Sequence, residues 1–223
     1  MSLPQVFLAD RREYVLKVSP IISIIKKFAY IANFPNFAQY QILSQWCWSA
    51  VGAAVVDFYL GSGGGNRRVQ CKNASEFLAG ASNCCTLKIL WFTINLANID
   101  ARMNKSGAQP MHFNINQNNC NQPGFCAQPI NATGSTSATW DGYSGNGPNA
   151  SEKQALCDAL DDQKPGIMHI SWNGGGGHVV SIYGLINILG VDYYYLADPW
   201  SGFRLSTGAP SNGTWAGSYL TSN

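Results

Sequence analysis

The run from Cys47 to Leu60, Cys-Trp-Ser-Ala-Val-Gly-Ala-Ala-Val-Val-Asp-Phe-Tyr-Leu, constrains this chain more than any other segment. It is apolar nearly all round, long enough for a helix, and stopped by Gly61-Ser62-Gly63-Gly64-Gly65. A helix without a polar face cannot sit on a surface, so the run predicts a buried central helix. The chain has the means to bury it: 223 residues with 46% hydrophobic and 12% aromatic side chains suffice for one sizeable core.

After Pro165 the pattern changes. Gly166–Trp172, His178–Ile188 and Val191–Ala197 are β-branched and aromatic runs, separated by Asn173-Gly174-Gly175-Gly176-Gly177 and by Leu189-Gly190, and they read as consecutive antiparallel strands. Helices first and strands last imply an α+β fold. Asn73 with Glu76 reads as the capped start of a short helix reaching about Gly80, and Asn149 with Glu152 repeats the signal before a helix over Lys153–Asp162. Leu87, Leu90, Trp91, Ile94 and Ala97 fall at helical spacing and predict a further helix over Thr86–Met103. Residues 4–40 lack a period and read as an arm or loop lying on the domain, and Asn104–Pro148 as loop or irregular sheet. The resulting organisation is an N-terminal arm or pro-segment over 1–35 and one compact domain over 36–223.

Charge excludes some partners. Charged residues make up 12% of the chain, and 14 Lys+Arg against 12 Asp+Glu leave a formal charge of +2, too little to predict binding to nucleic acid or to a membrane surface. No apolar run reaches the ~18 residues of a membrane helix. The seven cysteines are Cys47, Cys71, Cys84, Cys85, Cys120, Cys126 and Cys157. No pair has the short C-x2-C or H-x3-H spacing of structural zinc, so no metal and no cofactor is expected. With many Asn, Gly and Thr loops, the cysteines beyond Cys47 point to disulfides and to a secreted or periplasmic protein. Cys84 and Cys85 beside Cys71 offer short-range partners, Cys120 and Cys126 are near enough to close a small loop, and Cys157 reads as a buried thiol. That leaves at most two disulfides.

Three residues combine into chemistry. Cys47 opens the predicted central helix, and a helix N-terminus favours the negative charge of a thiolate nucleophile. His178 follows the glycine run at the start of a strand, where the backbone can approach a substrate. Asp198 closes the next strand, from which its carboxylate can accept from one ring nitrogen and leave the other for the thiol. Gln41, six residues before Cys47, can supply a side-chain amide to an oxyanion hole beside the Cys47 N–H, with Gln45 as a nearer rival. His112 and His169 fall in an irregular region and mid-strand, and neither is the expected base.

The segment Gln41-Ile42-Leu43-Ser44-Gln45-Trp46-Cys47-Trp48-Ser49-Ala50 resembles the active-site motif of papain-like cysteine peptidases. Gly175 to Gly184 around His178, Tyr195 to Trp200 around Asp198, and Gly213-Thr214-Trp215 are similar to bacterial members related to bacteriocin-leader-processing peptidases and to plant-pathogen effector proteases. The resemblance spans residues 41–218. It implies a helical lobe headed by the nucleophile, an antiparallel lobe carrying the base, and catalytic roles for Cys47, His178, Asp198 and Gln41. It also implies substrate contacts at Trp48, Gly176, Gly177 and Trp200. Cys84-Cys85 and the Cys120–Gly124 segment look like family features too, with more residues between them than the family leads one to expect. The implied function is hydrolysis of a peptide or protein substrate through a thioester, by a monomer. The alternatives are amidase, isopeptidase or acyltransferase chemistry on the same fold, or a peptide-binding module without catalysis.

Overall fold

The computed structural model describes residues 25–61, 68–103, 112–143 and 147–223. Its architecture is mixed: four α-helices and a large antiparallel sheet, the α+β class that the order of helix and strand signals implies. Helix α1 runs over Cys47–Leu60, as the apolar run requires, with Trp48 through Asp57 all buried. Strands β5 (Gly166–Trp172), β6 (Gly177–Ile188) and β7 (Val191–Asp198) are consecutive and antiparallel. Strand β8 (Gly202–Ser206) lies outside β7, and β9 (Gly213–Ser222) crosses back to pair β5 and then β4 (Ser137–Gly142). The strand order is β4-β9-β5-β6-β7-β8.

The predicted loop at residues 4–40 is in part a strand. Strand β1 (Ile25–Tyr30) pairs β6 at Gly184–Ile188, continuing the position that β5 leaves after Ile182. Gly184 permits this junction, because a Cβ there would lie 2.7 Å from the Tyr30 ring and 2.9 Å from that of Tyr195. The expectations for residues 1–24 fall outside the described residues.

Two helix readings are corrected. Helix α2 spans Gln70–Phe77, so Asn73 is an interior residue whose side chain accepts from Arg68 Nε and donates to Ser49 O, and it caps nothing. The predicted helix over Thr86–Met103 is a hairpin, β2 (Thr86–Ile89) and β3 (Phe92–Asn95), followed by a 3-10 turn at Leu96–Asn98. Leu87 and Ile94 are cross-strand partners, which reproduces a seven-residue spacing without a helix. Within the segment read as loop or irregular sheet, β4 is a regular strand and α3 (Ala127–Asn131) an added helix, and α4 (Ala150–Asp161) carries the full Asn149/Glu152 capping box.

The core lies between α1 and the sheet. Gly52 of α1 meets α3, where a Cβ would come within 2.4 Å of the Pro129 ring and 3.1 Å of Cys126 O. Two disulfides brace the adjoining loops: Cys71–Cys85 ties α2 to the hairpin base, and Cys84–Cys120 ties that base to the segment before α3. The small Cys120–Cys126 loop is therefore not formed, because Cys120 is committed to Cys84. Cys47, Cys126 and Cys157 stand outside the disulfides. Among the described residues, no helix is long and apolar enough to cross a membrane.

Candidate active site

Helix α1 begins at Cys47, so the Cys47 backbone N–H belongs to the first turn, where amides have no intrahelical acceptor. The residues around it are fixed from several directions. Trp46 and Trp48, both buried, donate their indole N–H groups to Cys120 O (2.6 Å) and Gln122 O (3.1 Å). Gly124 lies flat against the Trp48 ring, where a Cβ would approach to 2.6 Å. Asn121 accepts from Gln45 N (2.9 Å) and donates to Ser44 Oγ (2.9 Å). Gln70 of α2 accepts from Ile42 N (3.0 Å) and donates to Gln39 Oε1 and Tyr40 O. The nucleophile candidate thus sits on a buried helix whose approach segment is held by a polar network.

The opposing side is the sheet. His178, on β6, places Nε2 2.8 Å from Asp198 Oδ1 at the end of β7, leaving Nδ1 for the thiol. Asp198 is fully engaged: Trp200 N also donates to Oδ1 (2.8 Å), while Ser201 Oγ donates to Oδ2 (2.8 Å) and Arg204 Nη2 lies 3.4 Å from it. Burial opposes the charged imidazolium, but hydrogen bonds to Asp198 and Cys47 and the charges on both outweigh it, raising the His178 pKa to about 9. Burial would likewise raise Asp198. The His178 hydrogen bond and charge, then Trp200 N–H and the Ser201 hydroxyl, hold it at about 2 instead. The arrangement favours imidazolium beside carboxylate at neutral pH.

Cys47 and His178 stand between two cavities that share Gln45 and Gly177 as well. The first, of about 680 Å³, is lined by His112, Trp172, Gly176, Asp198, Trp200 and Arg204 among others. The second, of about 670 Å³, is walled by Trp48, Phe125, Cys126, Trp140, His169 and Tyr219. Gly176 and Gly177, Trp200 and Trp48 therefore line space beside the thiol. Gly177 is tight, since a Cβ would lie 2.8 Å from His169 Nε2.

Gln41 is placed differently from the expectation. Its side chain is buried, its Nε2 donates to Ser44 O (2.7 Å) and Leu43 O (3.1 Å), and it lines neither cavity. To reach an oxyanion, that amide has to release Ser44. Gln45 is exposed and lines both cavities.

Several residues at the site were not singled out in the sequence. His112 stacks on Trp200 (centroids 4.1 Å, planes 11° apart), with Nδ1 3.0 Å from Gln41 O and Nε2 3.0 Å from Trp200 O, so it fastens the approach segment to the β7–β8 turn. His169 is kept neutral by burial and then by the His178 charge. Burial, then the charge of Cys47, raises the Cys126 thiol, so this second cysteine at the cavity wall stays protonated. No local pattern marks these three, because the sheet and the disulfide-braced loop bring them in from distant positions. No protein-family model matches this chain, and no curated protein matches it.

Proposed function

We propose that this protein is a cysteine peptidase with a papain-like arrangement, in which α1 carries the nucleophile on one side of a cleft and the antiparallel sheet carries the base on the other. One observation carries the reading: a helix-initial cysteine faces a histidine whose far nitrogen is 2.8 Å from a fully engaged, buried aspartate. Thiol, imidazole and carboxylate in that sequence form the relay that nucleophilic acyl transfer needs.

In this reading the Cys47 sulfur attacks the carbonyl carbon of the scissile bond, and the carbonyl oxygen takes up the negative charge. The Cys47 N–H is one donor to it, and the other is a side-chain amide, Gln41 or the cavity-lining Gln45. As the carbon–nitrogen bond breaks, His178 gives its proton to the departing amine and a thioester remains. A water then attacks the thioester, His178 accepts its proton, the carbon–sulfur bond breaks, and the acid leaves. Asp198 holds the imidazole in one orientation and stabilises its charged form throughout.

The two cavities on either side of Cys47 support an extended peptide as substrate, since a chain crossing the thiol finds space in both directions. The disulfides support a secreted or periplasmic location. The test is a peptide-library digest by the wild type beside Cys47→Ala, with mass spectrometry of the products. Cleavage at defined bonds by the wild type alone supports the reading. Equal products from both proteins, or none from the wild type, end it.

A further inference from the structure

The two cavities differ in charge. Among the described residues lining the second, none is Asp, Glu, Lys or Arg. The first holds Asp198 and Arg204, and Asp198 has both oxygens taken by His178, Trp200, Ser201 and Arg204. The charge still open to a ligand there is the guanidinium. Arg204 commits Nη2 to Asp198, while its buried Nε has no acceptor. Its side chain remains 31% exposed at the cavity wall. Strand pairing explains the placement: Asp198 lies opposite Gly202 and Leu196 opposite Arg204, so Arg204 projects from the same face of the sheet as Asp198. Trp172 and Trp200 flank the space and lower its polarity, which strengthens any ion pair formed inside it.

A guanidinium carries five N–H donors in a planar fork that matches a carboxylate. We propose that the cleft selects substrates bearing a carboxylate on the arm of the peptide that lies along Trp200 and Arg204, where the carboxylate accepts from the exposed terminal N–H groups of the guanidinium that are not directed at Asp198. This rests on the peptidase reading of the same cleft. The carboxylate comes either from an acidic side chain or from the chain's own C-terminus. On the opposite arm an acidic group would meet no cation beyond the His178 imidazolium that both cavities share, so the preference is one-sided.

The experiment compares kcat/KM for peptides in which each position flanking the cleaved bond is Glu or Gln, together with C-terminal acids against C-terminal amides. The same pairs are titrated onto Cys47→Ala by fluorescence anisotropy. The expected result is a preference of about tenfold or more for the carboxylate on one arm only, the size of a charge-assisted hydrogen bond. In Arg204→Met, or in Arg204→Gln should the first unfold early in a thermal scan, that ratio falls to near one whatever happens to the overall rate. Side-chain preference identifies an acidic residue as the ligand, and acid-over-amide preference identifies the C-terminus. If peptides are cut or bound with no such discrimination, or if the ratio survives both substitutions, the inference is overturned. If nothing is hydrolysed, the binding ratios still decide it, and the peptidase reading fails separately.

Discussion

Asp198 is bonded through both carboxylate oxygens before any substrate arrives, and His178 Nε2, at 2.8 Å, is one of four groups around it. A carboxylate held this way cannot turn toward the thiol or take a proton at neutral pH. In the proposed mechanism its part is to fix the ring. Cys47→Ala and His178→Ala are therefore expected to abolish hydrolysis with the fold retained, as read by circular dichroism. Asp198→Asn is expected to reduce kcat less than either, because nucleophile and base both remain. An equal loss in all three would show that the aspartate acts directly.

The raised pKa of His178 sets a pH limit. The imidazolium is present below about 9 and is lost above it, so activity is expected to fall on the alkaline side as pH rises through about 9. Stability follows the same sign: the contribution of a group raised from 6.5 to about 9 is full below 6.5 and disappears as pH rises through 9. Asp198, lowered from 3.8 to about 2, contributes above 3.8 and loses its contribution as pH falls through 2. Cys47 is among the causes that raise His178, so NMR titration of Cys47→Ala is expected to show a lower imidazole pKa than the wild type. An unchanged value would mean that thiol and ring are not coupled.

The two glutamines separate cleanly by substitution. One oxyanion donor is worth about 10 to 1000-fold in turnover. With Gln45 open to the cleft and Gln41 bonded to Ser44 O and Leu43 O, Gln45→Ala is expected to cost the larger share of kcat at unchanged melting temperature. Gln41→Ala is expected to lower the melting temperature, since it removes a buried amide from the segment leading into α1. A larger kcat loss in Gln41→Ala, without loss of stability, would assign the oxyanion to Gln41.

Thiol titration tests the disulfides. Denatured protein without reductant is expected to show three thiols, Cys47, Cys126 and Cys157, and reduced protein all seven. Native protein is expected to react quickly at Cys47 alone, because Cys126 and Cys157 are buried. Removing Cys84–Cys120 with paired serines is expected to cost about 3 to 4 kcal/mol of stability for a loop of this length. It is also expected to slow turnover, because Asn121, which holds Ser44 and Gln45, follows Cys120 directly. Seven titratable thiols in unreduced protein from an oxidising compartment would overturn the disulfide assignment.

Periodic segments with one possible environment were legible in the sequence. An all-apolar run can only be buried, and β-branched runs divided by glycines can only be strands, so α1, β5, β6 and β7 fall where the pattern puts them. The hairpin β2–β3 was not legible. Its turn is made by Leu90 at φ 53°, a left-handed position that usually carries glycine, and Leu90 and Trp91 are exposed although they look like core residues. Strand β1 was hidden for a different reason, since its pairing with β6 is a long-range contact that no local period records. Within the site, Cys47, His178 and Asp198 were visible because each ends or begins a regular element. The Arg204 contact, the His112–Trp200 stack and the inward turn of Gln41 depend on tertiary geometry alone.

The segment from Cys120 to Cys126 is fastened by the disulfide at one end, by the Trp46 and Trp48 indoles along its length, and by the close fit of Cys126 O against Gly52 at the other. The side of the second cavity formed by this segment is therefore tied to the helix bearing Cys47. A change at a buried position of that segment, such as Cys126, bears on the helix carrying the thiol as well. Phe125 lines the same cavity while 67% exposed, so its replacement removes little buried packing. In the proposed peptidase, a substitution at Phe125 is therefore expected to alter substrate preference at less cost to the fold than one at the buried Trp48 or Cys126.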